Sequence, residues 1–200
     1  MISSTAFDST APTIPIRVGA VTAEEAIRLI PELIELLRNS VGDGASLGFL
    51  NPLSRADARN YWLSLLPEIR TGARLLLVVV APDRIIGSAQ LALPSWPNAL
   101  HRANIEKLFV DSSSQGQGIG TMLMQELQDL AIQHGRTLLL LGARKGERAE
   151  DFYRGLGYRE IGVIPGYSLG ERGEEYDQVQ FYMDLKGRPG SRLFRRGEQL

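Results

Sequence analysis

The 200-residue chain contains no cysteine. That absence excludes disulfides, thiolate metal sites and a cysteine nucleophile, and leaves the redox compartment undetermined. Only two histidines are present, His101 and His134, so a histidine-rich metal centre is not expected and no metal is assigned. Charge of one sign is lacking too: the formal net charge is -1, without the basic excess that nucleic-acid binding demands. No apolar run approaches the ~20 residues needed to cross a bilayer. The opening stretch MISSTAFDSTAPTIP has neither Lys nor Arg and no apolar segment. It therefore reads neither as a signal peptide nor as a basic transit sequence. These absences argue against nucleic-acid and membrane partners and make a cytoplasmic protein the expectation.

What is present is the composition of an ordinary globular domain, 44% hydrophobic and 22% charged, long enough for one sizeable core. Residues 1–14, rich in Ser, Thr and Pro, read as a disordered lead, 15–186 as one domain, and the basic residues 187–200 as a flexible tail. IPIRVGAV suggests a short strand. Thr22 and Glu25 have capping-box spacing and open a helix with Ala26, Ile27, Ile30, Leu33, Ile34 and Leu37 at helical intervals. Pro31 predicts a kink or a break inside that helix. Ser54 to Arg70 reads as a second helix, with Ala58, Tyr61, Trp62, Leu65 and Leu66 on one face. ARLLLVVVA and IIGSAQLAL, joined by PDR, read as a hairpin, and RANIEKLFVD as the next strand.

A glycine-rich loop then leads into a helix with Ile119, Met122, Leu123, Leu127 and Leu130 on its apolar face. TLLLL is apolar on both faces, as a strand between two layers is. GERAEDFYRGLG is a short helix stopped by glycine, and YREIGVI and QVQFYMDL are late strands. This order predicts an α/β fold with a mixed sheet. EKLFV and TLLLL would form a parallel pair through a right-handed crossover.

The glycine loop, SSQGQGIG, carries Gly116, Gly118 and Gly120. It fails the P-loop pattern, because Gly120 is followed by Thr121 and Met122 with no lysine, and the dinucleotide fingerprint, because Thr stands at 121. What is left is a glycine-rich turn opening a helix whose first amides lack intrahelical partners and sit at the positive end of the dipole. Such an end suits a phosphate or pyrophosphate. A plain strand-to-helix turn fits the same letters.

The neighbouring segments decide between them. Gln115-x-x-Gly118-x-Gly120, preceded by EKLFVD and followed by a long helix, a buried strand and EDFYRGLGY, resembles the signature of the GNAT superfamily of N-acetyltransferases. The element order is similar from Ile14 to Leu185. GASLGF, HRANIEKLFV and IGVIPGYSL look like a subgroup that includes the tabtoxin resistance acetyltransferase, whose members act on small amino-acid-like or peptide-like amines. The resemblance implies a single-domain GNAT fold, its sheet mostly antiparallel with one central parallel pair and flanked by helices. It also implies acetyl-CoA as co-substrate. The pantetheine arm would lie along the backbone of Leu108, Phe109 and Val110, and the pyrophosphate on the loop of Gln115, Gly116, Gln117, Gly118, Ile119 and Gly120. Side chains at the three glycines would hold the diphosphate off the amides. Tyr153 matches the family's general acid near the sulfur.

Proton removal from the amine is the harder requirement. An amine of pKa ~10.4 is neutral in only roughly one molecule per thousand at pH 7, and one near ~8 in about one in ten. Similar sequences often carry carboxylates where this chain has Asn104 and Gly142. Glu106, two residues from Asn104 and so on the same strand face roughly 6.6 Å away, is the candidate base, and reads equally as a solvated or salt-bridged strand carboxylate. The loop also lacks a cation of its own, since Gln117 stands where a basic residue is usual. Lys107 and Arg144 could add positive charge but read more readily as ordinary surface residues. Gly44 to Phe49, with Tyr167 and Ser168, are the expected acceptor pocket. Asp43, Glu171, Glu174 or Glu175 could face a cationic substrate. The function expected is transfer of acetyl to a small-molecule amine. Two readings stay open beside it, a non-catalytic acyl-CoA-binding module and a protein N-acetyltransferase; a homodimer is also left open.

Overall fold

The computed structural model of the chain describes residues 16–188. The expected lead over 1–14, and all of the tail beyond residue 188, lie outside the described residues. Twelve elements follow in order. They are β1 (Arg17–Val21), α1 (Ala23–Gly42), α2 (Arg55–Thr71), β2 (Arg74–Val80), β3 (Ile85–Ala92), β4 (Arg102–Val110), a single 3-10 turn (Ser112–Ser114), α3 (Ile119–Gln133), β5 (Leu138–Arg144), α4 (Arg148–Gly155), β6 (Arg159–Leu169) and β7 (Glu175–Asp184).

The seven strands make one sheet in the order β1-β2-β3-β4-β5-β7-β6. Every neighbouring pair is antiparallel except β4–β5, which α3 links as the expected parallel crossover. The fold is thus a single α/β domain of the expected GNAT type, mostly antiparallel with one parallel pair. Cores form on both sheet faces. On one face α3 buries Ile119, Leu123, Met124 and Leu127 against Ala103 and Ile105 of β4, Leu139 and Leu141 of β5 and Phe181 of β7. On the other, α1 and α2 bury Leu33, Leu37 and Trp62 against Leu76, Val78, Ile85 and Phe109. That second layer reaches only as far as β4, so TLLLL is not the strand between two layers that its letters suggested: of its leucines only Leu139 and Leu141 are buried, and the other face of β5 has no helical cover.

Both helices of the second layer are capped from their sequences. Thr22 Oγ1 accepts from the Glu25 amide at 3.2 Å while the Thr22 amide donates to Glu25 Oε2 at 2.8 Å. Ser54 Oγ accepts from the Asp57 amide at 3.0 Å. Each such cap contributes about 1 kcal/mol. One expectation needs correction: α1 runs from Ala23 to Gly42 without a break, with Pro31 inside it. The carbonyl that Pro31 cannot bond is that of Ile27, and Ile27 is itself 45% exposed rather than on the buried face. Pro31 therefore sits on the solvent side, where water can take the freed carbonyl.

Candidate active site

The site begins with an irregularity in β4. Between the pairs Ser88–Phe109 and Gln90–Glu106, β4 has one more residue than β3. At this bulge Lys107 takes φ 50°, the one non-glycine residue with positive φ among the described residues. Holding an L residue there costs roughly 1 kcal/mol or more. The bulge also reverses the phase of the strand: Ala103 and Ile105 face the α3 core, whereas Phe109 faces the α1–α2 core. Asn104 and Glu106 consequently share the α1–α2 face with Phe109, as their spacing predicted.

A second irregularity opens the sheet. β4 and β5 pair only from Arg102–Leu138 to Asn104–Leu140, and then part. The β5-facing edge of β4 from Ile105 to Val110 has no strand partner, and a cleft of about 1270 Å³ occupies the wedge. That exceeds the roughly 300–1,000 Å³ of a drug-sized ligand site, leaving room for an extended ligand and a second molecule. The cleft is lined by Asn104, Glu106 and Leu108–Val110 of β4, by Leu140–Arg144 of β5, by the glycine loop, and by Ser40 and Asp43–Gly48.

The glycine loop is built to present amides. Asp111 gathers it by accepting hydrogen bonds from the Ser113 and Ser114 hydroxyls and from Arg84. The Gln115 side-chain amide Nε2 donates back to the Val110 carbonyl at 3.2 Å. Gly116 and Gly118 have φ 76° and 80°, and Gly118 is the N-cap of α3. The first intrahelical bond runs from the Met122 amide to the Gly118 carbonyl, so the amides of Ile119, Gly120 and Thr121 have no helical acceptor. No side chain caps this end and no acid stands in the first turn. Gly120 has a different reason to be glycine from the one its spacing suggested: a Cβ there would lie 3.2 Å from Cζ of Phe152, so this glycine lets α4 approach. Gln117 does not line the cleft, and its amide turns back toward the Ser113 carbonyl at 3.5 Å.

Phe152 and Tyr153 stand side by side on α4, with ring centroids 5.4 Å apart. Tyr153 is only 7% exposed, packed between Tyr158 and Phe181, yet it lines the cleft. Among the described residues its hydroxyl has no hydrogen-bond partner. Burial pushes its pKa up to about 12, so the phenol is fully protonated at neutral pH.

Glu106 is held in a network that the sequence did not reveal. Arg74 Nη1 donates to Glu106 Oε2 and to Gln90 Oε1, each at 2.8 Å, while Arg74 Nε donates to Glu68 at 2.7 Å. Gln90 in turn donates to the Tyr61 hydroxyl at 2.7 Å. The Glu106 side chain remains 40% exposed and faces the cleft. Asn104, where the β4–β5 pairing ends, accepts from Arg102 at 3.2 Å.

Most of the expected acceptor loop, though not Phe49, lines the same cleft. Gly44 to Gly48 line the cleft, as do Asp43, Tyr167 and Ser168; Glu171, Glu174 and Glu175 do not. Two glutamines complete this wall. A Cβ at Gly142 would lie 2.1 Å from the Gln178 amide nitrogen and 3.1 Å from that of Gln180, so the Gln178 amide fills the space a side chain at 142 would need. Both proposed cations reach the cleft. Arg144 stacks 4.1 Å over the Tyr176 ring and pairs with Glu147 at 3.3 Å. The Lys107 ammonium lies against Gly48 and over Phe49 of the expected acceptor loop. Cross-strand position alone brings Gln178, Gln180 and Arg74 here, and no local signal in the sequence marks them. No group of three or more His, Asp or Glu residues suited to a metal occurs among the described residues. No helix there is long and apolar enough to cross a membrane.

Three solved structures show the breadth of this fold. An N-acetyltransferase from Staphylococcus aureus is 15% identical over 86% of this chain and 99% of its own, with a TM-score of 0.70. A ribosomal-protein-alanine N-acetyltransferase from Brucella melitensis is 21% identical, covering 84% and 99%, with a TM-score of 0.69. A Salmonella typhimurium protein described as an acetyltransferase, solved with its cofactor acetyl-CoA, is 16% identical, covering 87% and 96%, with a TM-score of 0.68. The acetyltransferase (GNAT) family model matches residues 44–158, more than half of the sequence and the span from the loop before α2 to the end of α4, and the chain belongs to that family.

Proposed function

We propose that the protein transfers an acetyl group from acetyl-CoA directly to the amine of a small amino-acid-like or peptide-like molecule. One observation carries this reading. A free strand edge, a helix N-terminus with unpartnered amides and a buried tyrosine with an unpartnered hydroxyl meet in a single cleft. Coenzyme A has a matching order of groups: a diphosphate, an arm with two amides, and a thiol. The loop from Gln115 to Gly120 would hold the diphosphate through backbone amides and the α3 dipole. Leu108, Phe109 and Val110 would pair with the arm, and Tyr153 would meet the sulfur. The acetyl-CoA-bound Salmonella relative supports the same cofactor. When bound, the cofactor supplies an acyl thioester that an amine can attack.

Each residue of the chain then has a defined task. Tyr153, with its pKa near 12, lies about 3.5 units above a thiol of pKa ~8.5, so full proton loss to the thiolate would be uphill by about 5 kcal/mol. Tyr153 therefore acts chiefly as a hydrogen-bond donor to developing negative charge, keeping its own proton. Glu106, fixed by Arg74, accepts the amine proton through a bridging water, with Asn104 orienting that water. This base best serves an α-amine of pKa ~8, which needs little help. The resemblance to the tabtoxin resistance subgroup points to the same acceptors.

A second reading, a non-catalytic acyl-CoA-binding module, is favoured by one observation: the only carboxylate on this stretch of β4 is tied to a guanidinium. Thiol release from acetyl-CoA across a panel of small amines separates the two. Amine-dependent release is expected; tight acetyl-CoA binding with no amine-dependent release would favour the binding module.

A further inference from the structure

Lys107 is used by none of the steps above, yet its placement is unusual in four respects. It occupies the β4 bulge at φ 50°. Its side chain lines the cleft. Its ammonium reaches the bare backbone of Gly48, where a Cβ would stand 2.9 Å from Nζ, and lies 5.5 Å from the Phe49 ring centroid. It also makes no ion pair within 4 Å among the described residues.

The charges around it leave that cation available. Glu106, its neighbour in the chain, is engaged by Arg74 at 2.8 Å, and Glu147 is engaged by Arg144. Asp43, the other acid on the cleft, is exposed at the end of α1 and pairs with neither cation. The neighbouring wall, Gln178 and Gln180, offers neutral amides. Burial holds the Lys107 ammonium below the ordinary lysine value, with Arg74 pushing the same way and Glu106 opposing both. A half-buried cation of this kind gains most from an anion that enters the same cleft. The cofactor's diphosphate is assigned to the glycine loop, whereas the Lys107 ammonium meets Gly48 and Phe49 of the expected acceptor loop.

We propose that Lys107 is the specificity-determining residue for the acceptor, binding a carboxylate carried beside the amine that is acetylated. The inference rests on the N-acetyltransferase reading and narrows it to α-amino acids and related acids. Adjacent residues Glu106 and Lys107 offer an anion and a cation side by side, complementary to the ammonium and carboxylate of a zwitterionic acceptor. The Phe49 face and the Gly48 backbone lie against the lysine.

The test uses the full chain, a panel of free α-amino acids and the matching α-carboxamides, and the variants Lys107→Met and Lys107→Arg. Acetyl-CoA affinity, measured by calorimetry, is expected to be the same in all three proteins, which also checks that they fold. The wild type is expected to prefer acids to amides by roughly 10- to 100-fold in kcat/KM, the worth of a charge-assisted hydrogen bond out of water. Lys107→Met should collapse that preference toward unity, mainly through KM, and Lys107→Arg should retain part of it. An unchanged preference in Lys107→Met, a wild-type preference for amides, or turnover of amines without turnover of any acid would each overturn the proposal. Cofactor binding with no turnover of any panel member overturns it as well and supports the binding-module reading. Failure to bind acetyl-CoA would instead remove the acetyltransferase reading itself.

Discussion

Replacing Tyr153 with phenylalanine removes one oxygen and little else. The ring stays within packing distance of Phe152, Tyr158 and Phe181, at centroid separations of 5.4, 6.0 and 5.9 Å, and the hydroxyl has no partner to lose among the described residues. Stability should therefore change by no more than about 0.5 kcal/mol. The catalytic loss is set by the hydrogen bond to the leaving sulfur. A phenol with a pKa of about 12 donates without ionising, so the loss is that of a charge-assisted bond, about 1.5–3 kcal/mol or roughly 10- to 150-fold in rate. Thiol release under saturating acetyl-CoA measures kcat, calorimetry measures cofactor affinity, and a thermal melt measures stability. The expected pattern is lower kcat with unchanged affinity and melting temperature. A kcat within twofold of wild type would refute the role of Tyr153 as donor, and a parallel loss of stability would assign it to packing.

Other perturbations follow from the same geometry. Gly118→Val forces a β-branched residue to φ 80° and should cost about 1–3 kcal/mol of stability together with most of the acetyl-CoA affinity; retained affinity in titration calorimetry would sink the phosphate-cradle assignment. Glu106→Gln should lower the rate most at low pH, where the amine is least often neutral, and an unchanged pH–rate profile would remove Glu106 from the mechanism. Trp62→Ala empties a fully buried position and should destabilise by about 3–5 kcal/mol in urea denaturation. Lys107 has a folded pKa below its unfolded one, so its charge opposes folding at every pH below that folded value, and the penalty fades as pH rises through the unfolded pKa. Lys107→Met should accordingly raise the melting temperature at neutral pH, with the gain shrinking above pH ~10.

The parts of this molecule that were legible in the sequence are the local ones. The α1 capping box, the strand character of TLLLL and the glycine loop announce themselves within a few residues, and their order was enough to place the parallel pair; that TLLLL is covered on one face only was not legible. Pro31 misled, because whether a helix tolerates proline depends on which way the freed Ile27 carbonyl faces, and that is a tertiary fact. Gly120 was read as ligand clearance, yet its closest neighbour is the Phe152 ring from an element thirty residues on. The acceptor end was least legible of all. Arg74, Gln90 and Glu106 meet across three strands, and Gln178 reaches Gly142 across a fourth. The bulge that turns Lys107 is a matter of register, which no single strand's letters specify.

The central claim is direct acetyl transfer from coenzyme A to a small amine. Incubating the full chain with acetyl-CoA labelled in its acetyl group and a panel of small α-amines, and following free thiol and labelled product together, tests it most directly. The account predicts one labelled N-acetyl product for each thiol released, with release dependent on the amine. Bound acetyl-CoA with thiol release no faster than in the amine-free control, and no labelled product, would contradict it.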